Sequence, residues 1–182
     1  IQGFAAHNVG LRSIDLDNVT MMRLDLRGAD GDESRLERAK LEQTDLRTSQ
    51  WRGALWHRVQ MKDCDLTELD LTGAQLLRCE LGPVRMARLK LHRARIQNCT
   101  FKDSELYSSD FSSAVVIKSV FDGYAHATVS LSRTDWTGAT VFDVDFKRAN
   151  LYGANLSGAT FVRCDLRGVN LCNANLTGTK LV

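Results

Sequence analysis

What this sequence lacks narrows it first. No run of about eighteen apolar residues occurs, so no transmembrane helix is encoded. Neither sign of charge dominates: 24 Lys and Arg stand against 22 Asp and Glu, a net charge of +2. No Cys-x-x-Cys pair offers a zinc half-site. No Ser or Cys is placed beside a His–carboxylate pair, and no glycine-rich loop is built to cradle phosphate. The constellations that would make an enzyme, or call for a cofactor or metal, are missing. Proline occurs once, as Pro83. No charged-then-apolar leader is visible and the first residue is Ile1, not Met, so the chain reads as a piece of a larger protein or a processed form.

What is present is a period. Between residues 146 and 181 a bulky apolar residue recurs at every fifth position: Phe146, Leu151, Leu156, Phe161, Leu166, Leu171, Leu176, Leu181. Call each of these a centre. Two residues before it sits a small or mid-sized residue, such as Ala149, Ala154 or Cys164. Asp, Asn or another polar residue lies between. The same phase runs back to Ile1, and only Ala6, Gly31 and His126 occupy centres without being bulky and apolar. Ten of the 13 glycines fall two residues after a centre, and so does Pro83.

A period of five excludes a helix and a plain strand. Residues five apart on a helix are about 140° apart, so the pattern would bury no face. On a strand an odd period flips the faces at every repeat. The chain must turn a corner within each repeat, just after the centre, where glycine's positive φ is useful. Short extended sides joined by corners wind a solenoid, with the centre and the residue two before it inside.

Units such as AN LYG at 149–153 and AN LSG at 154–158 resemble the pentapeptide-repeat family, and the resemblance covers essentially the whole chain. It implies an all-β, right-handed, four-sided β-helix with twenty residues per coil. A single domain over 1–182 with about nine coils is expected, its first coil (1–20) weak. The unbroken phase allows only insertions that are multiples of five. Two stretches invite local distortion, 29–35 around Gly31 and 122–128 around His126. His126 is read as filling or bulging from a distorted coil rather than as a ligand, since no partner cluster accompanies it.

Cys64, Cys79, Cys99 and Cys164 take inward positions, and Cys172 faces out. Cys79 and Cys99 should stack on neighbouring coils. A disulfide or half a metal site is conceivable there, and two reduced core thiols are the preferred reading. Trp51, Trp56 and Trp136 are centres and belong to the core, their indole N–H groups needing partners.

Stacking at twenty residues turns the surface into columns. Asp25, Asp45 and Asp65 share one, with Arg27 and Arg47 two positions on, which favours a solvated salt network over a calcium ladder. Arg38, Arg58 and Arg78 share another, continued by Lys118 after Asn98. Arg85, Arg88, Lys90, Arg93 and Arg95 form a belt that meets it, and Leu77 and Ile117 lie beside it. These residues, Arg38, Arg58, Arg78, Arg85, Arg88, Arg93, Arg95, Leu77 and Ile117, are the candidate partner-binding surface. Phe142, Val162 and Val182 form a second, apolar column, read as an association surface near the C-terminal end, for self-association or an adjoining domain.

The expected function is a non-enzymatic protein-binding or scaffold module with a protein partner of acidic character and no membrane span. Nucleic acid is disfavoured because aromatics for base stacking are missing from the basic side. The resemblance implies a bacterial protein, cytoplasmic or delivered into a target cell, of the kind found in secreted effectors and secretion-system accessory proteins. The alternative it implies is a DNA-mimicking, topoisomerase-protecting protein, which needs an acidic rod that this balanced-to-basic chain does not offer.

Overall fold

The computed structural model describes residue 3, residues 5–122 and residues 131–182. The expected solenoid is there: all-β, with every strand pairing parallel to the strand one coil away. Four centres per coil give four faces. One, here the long face, carries nine strands: Asp15–Asp17, Arg35–Glu37, Leu55–His57, Gln75–Leu77, Arg95–Gln97, Val115–Ile117, Thr140–Phe142, Thr160–Val162 and Lys180–Leu181. Nine strands on one face mark eight full windings between first and last. At about 4.8 Å per winding that is a rod of about 38 Å.

The six-stranded face runs from Thr20–Met22 to Val120–Asp122. The remaining two faces hold together mostly through single bridges. One runs through Asp25, Asp45 and Asp65, the other through Asp30, Gln50, Asp70, Lys90 and Asp110. On these faces the corner is a tight turn, as where the Ala54 N–H donates to the Trp51 carbonyl at 3.2 Å around Gly53. With Gly53 at φ +66°, this is the geometry of a type II turn. Glycine is not obligatory at corners. Arg38, Arg58 and Arg78 adopt φ of 54°, 56° and 57° there.

The centres stack into a dry core. Phe101 lies on Phe121 at 4.6 Å between centroids, Phe121 on Phe146 at 5.2 Å, and Phe111 on Trp136 at 4.2 Å, all nearly parallel. Trp51 meets Trp56 edge-on at 6.0 Å. The N–H of Trp51 donates to Ser49 Oγ at 3.1 Å and that of Trp136 to Thr134 Oγ1 at 2.8 Å. The expectation fails at Trp56, whose buried Nε1 has no partner among the described residues.

The stretch 29–35 is not distorted. Asp30 bridges Gln50 in register, and the Gly31 N–H donates to the Gln50 carbonyl at 2.7 Å. Gly31 needs no side chain because the indole of Trp51 fills its place: a Cβ there would lie 2.5 Å from Trp51 Cδ2. A large centre has taken the volume of its neighbour one coil below.

The stretch 122–128 lies, past Asp122, outside the described residues, but the register changes across it. Up to there each residue stacks on the one twenty later, as Arg95 on Val115. Across it the spacing is twenty-five: Asp110 bridges Asp135, Val115 pairs with Thr140 and Val120 bridges Asp145. Phe121 and Leu131 occupy successive faces, so ten residues pass where five suffice elsewhere. The insertion is one extra pentad, as the unbroken phase requires. His126 itself, like residues 123–130 generally, lies outside the described residues.

Candidate partner-docking face

The side chains of the long face that point outward come from the first and third residue of each strand. At the N-terminal end they are charged: Asp15, Asp17, Arg35 and Glu37. Glu37 accepts from Arg35 and from Arg38 (3.2 Å), and Arg38 also reaches Asp17. The Arg35 hydrogen bond holds the Glu37 carboxyl below its ordinary range. From Leu55 on, no strand position on this face holds a carboxylate.

The register change then decides what the face is. Ile117 pairs with Phe142, Phe142 with Val162, and Val182 follows, its N–H donating to the Phe161 carbonyl at 2.9 Å. Leu77 stands in the same ladder two rungs before Ile117, with Gln97 between. Two candidate groups that stood apart at a uniform twenty-residue spacing, Leu77 and Ile117 on the one hand and Phe142, Val162 and Val182 on the other, are one ladder on one face. Leu55 and Val115 lie beside it in the parallel column.

The corner that follows the ladder carries Arg38, Arg58, Arg78, Asn98, Lys118, Asp143 and Arg163 on successive rungs. Arg38 is held by Asp17 and Glu37, and Arg163 by Asp143 at 2.7 Å. Arg58 and Arg78 are exposed and make no ion pair or side-chain hydrogen bond among the described residues. The basic belt divides. Arg85 pairs with Asp65 at 3.4 Å and Arg88 with Glu68 at 2.6 Å, both away from the long face. Lys90 sits between Asp70 and Asp110 in its column. Arg93 and Arg95 reach the long face, where Arg95 donates to Gln97 Oε1 at 3.3 Å.

On the other faces the Asp columns are paired. Arg27 donates to Asp25 at 2.9 and 2.7 Å and reaches Asp45 at 3.7 Å, and Arg47 repeats this with Asp45 and Asp65. The Arg27 hydrogen bond pulls Asp25 down to about 2. Asp32 is buried, which by itself would raise its pKa, but bonds from the Arg52 side chain and backbone lower it on balance. Lys147 spans Asp145 and Asp165 at 3.1 and 3.3 Å. Amide ladders such as Asn150–Asn170 (3.1 Å) cap polar columns near the C-terminal end. The salt network read from the sequence is this one.

The cysteines are free thiols. Cys79 and Cys99 do stack on adjacent coils, with Cys79 N 3.4 Å from Cys99 Sγ. Each thiol donates to a carbonyl of the coil below, Cys79 to Trp56 at 3.3 Å and Cys99 to Leu76 at 3.3 Å. Burial pushes the Cys64 thiol up to about 11. Among the described residues, no three potential metal ligands gather, and no helix is long and apolar enough to cross a membrane.

Coil geometry, corner conformation and inward stacking define a four-faced parallel solenoid of pentads. The sequence pattern of pentapeptide repeats matches residues 11–47, 129–158 and 149–182. The chain belongs to the pentapeptide-repeat family. Among solved structures it resembles HetL, a pentapeptide-repeat protein involved in heterocyst differentiation regulation from the cyanobacterium Nostoc. That likeness has 19% identity and a TM-score of 0.53, covering 95% of this chain and 89% of that one. It also resembles a trypsin-treated form of QnrB1, a plasmid-mediated fluoroquinolone resistance protein, at 18% identity and a TM-score of 0.51, covering 100% and 90%. At such identities these likenesses establish the fold. No curated protein matches the chain.

Proposed function

We propose that this rod is a non-enzymatic protein-interaction module and that the long face is where a protein partner docks. One observation carries the reading: the long face joins an apolar ladder to unpaired cations, whereas the Asp columns of the other faces are matched by Arg and Lys. Apolar residues stacked over several rungs form a contact surface rather than the scatter of single exposed side chains normal on any protein. A solenoid keeps such a surface rigid, so little ordering entropy is lost on binding.

A DNA-mimicking role, suggested by the likeness to QnrB1, finds less support. It needs uncompensated carboxylates along the shaft. Here Asp25, Asp45, Asp145 and Asp165 are each matched by an Arg or Lys. An effector or secretion-system setting rests on the family resemblance alone and remains a proposal about the parent protein.

Site-specific photocross-linking tests the docking reading. A benzophenone amino acid placed at Phe142, on the long face, should yield protein adducts in producing cells, and one at Lys62, on the six-stranded face, should not. Absence of adducts at Phe142, or equal adducts at both positions, overturns it.

A further inference from the structure

The long face also specifies what kind of segment it takes. Its two borders differ. On the side after the ladder stand Arg58, Arg78 and Lys118, all exposed. On the side before it the corners are Gly53, Gly73, Arg93, Ser113, Gly138 and Gly158, small except at Arg93. A Cβ built at Gly138 or Gly158 would meet no atom within 4 Å, so this border is open and low beside Phe142 and Val162. Between the borders the ladder offers one apolar side chain per rung from Ile117 to Val182, preceded by Leu77.

Rungs repeat at about 4.8 Å along the rod. A helix laid along the axis repeats its apolar stripe at about 5.4 Å, close enough to set one apolar residue against each rung over three or four turns. An extended segment would repeat every second residue, at about 6.8 Å, and lose step within two rungs. The glycine border lets a helix backbone approach, and the cationic border meets its flank. Since no acid of this face answers Arg58 or Arg78, the carboxylates must come from the occupant.

We infer that the long face binds an amphipathic helix of a partner protein, apolar along the stripe that covers Ile117, Phe142 and Val162 and bearing carboxylates on the single flank that faces Arg58, Arg78 and Lys118. This rests on the docking reading given above and makes it specific. A second copy of the chain is a poorer occupant. On its own long face Asp17 and Glu37 are already held by Arg35 and Arg38, so it brings unpaired guanidinium groups to the apolar half.

Two designed helical peptides of roughly eighteen residues, enough for about five turns, make the test. Both carry the same leucine stripe; one has Glu along a flank and the other Lys. Fluorescence anisotropy against the full chain should show the Glu peptide binding about tenfold tighter at low salt, an advantage that shrinks as salt rises. Arg58→Glu with Arg78→Glu should abolish or reverse the preference. Phe142→Ser should weaken both peptides, and unchanged thermal unfolding of these variants keeps loss of fold out of the comparison. Equal binding of the two peptides, or binding that ignores Phe142→Ser, overturns the inference. If native proteins cross-link at Phe142 while the peptides show no charge preference, the docking reading stands and the acidic helix falls. A dimer in sedimentation that Phe142→Glu dissociates would name a second copy as the occupant and overturn it equally.

Discussion

Ile117 and Phe142 stand side by side on adjacent rungs of the long face, although twenty-five residues separate them in the sequence. On every earlier rung of the long face the same relationship takes twenty. The extra pentad is what brings Leu77 and Ile117 into line with Phe142, Val162 and Val182, and what puts Phe121 on Phe146 and Phe111 on Trp136. One insertion thereby sets both the aromatic core and the apolar surface ladder.

If that pentad is surplus to the stack, removing it should be tolerated. Deleting residues 124–128 leaves five residues to pass between the positions of Phe121 and Leu131, as on every other coil. The expected result is a folded chain with thermal stability close to the parent. Collapse of the C-terminal coils, seen as lost amide protection beyond residue 131, would show that the extra residues hold the stack together.

Gly31 makes room for Trp51, so Gly31→Ala should be costly despite a φ that alanine accepts. The added Cβ would sit 2.5 Å from the indole. Overpacking of this kind costs about 1–3 kcal/mol in urea unfolding. Combined with Trp51→Leu, the same change should cost much less, a coupling visible in a double-mutant cycle. Additive effects would contradict the packing.

The two neighbouring indoles should respond differently to loss of their N–H. Trp51→Phe removes a hydrogen bond to Ser49, whereas Trp56→Phe removes a buried donor with no partner. The first should therefore be more destabilising, by about 1–2 kcal/mol. Chemical denaturation of both variants checks this, and the reverse order would refute the hydrogen-bond assignment.

Acid should loosen the Asp–Arg columns. Asp25 is lowered from 3.8 to about 2, chiefly by its hydrogen bond from Arg27. A depressed carboxylate contributes stability that is present above the unfolded value and lost as pH falls toward the folded one. The loss from this site is thus expected between about pH 4 and 2. Arg27→Ala should return the Asp25 titration, followed by carbon NMR of its carboxyl, toward 3.8. An unmoved titration would mean that the guanidinium is not the cause.

The fold was legible because the core obeys a single rule. A five-residue phase over the whole chain fixes centres, corners and inward cysteines without any tertiary knowledge. What could not be read was which pentad is surplus, since an inserted pentad leaves the phase intact. The one available signal was His126, a polar residue at a centre. Skipping that pentad joins Ile117 to Phe142 on paper. Gly31 misled for a different reason: its vacancy is filled by Trp51 from the next coil, a compensation between residues twenty apart. Likewise Arg85 and Arg88 read as free cations until stacking set them against Asp65 and Glu68. Arg58 and Arg78 stay unpaired because the ladder beside them carries His57, Leu77 and Gln97 where Arg38 has Glu37, and the acid of their own column, Asp143, lies several rungs away.

The continuity of the long face across the register change can be measured directly. Pyrene is attached in pairs to chains in which the exposed Cys172 is replaced by Ser. One pair joins Ile117→Cys with Phe142→Cys, and the other joins Ile117→Cys with Thr137→Cys, the partner a uniform twenty-residue spacing would select. The structure places Ile117 beside Phe142 and puts Thr137 on another face. Strong excimer emission from the first pair and monomer emission from the second is the predicted result. Excimer emission from the Ile117–Thr137 pair instead would break the ladder at Ile117 and remove the surface on which the docking account rests.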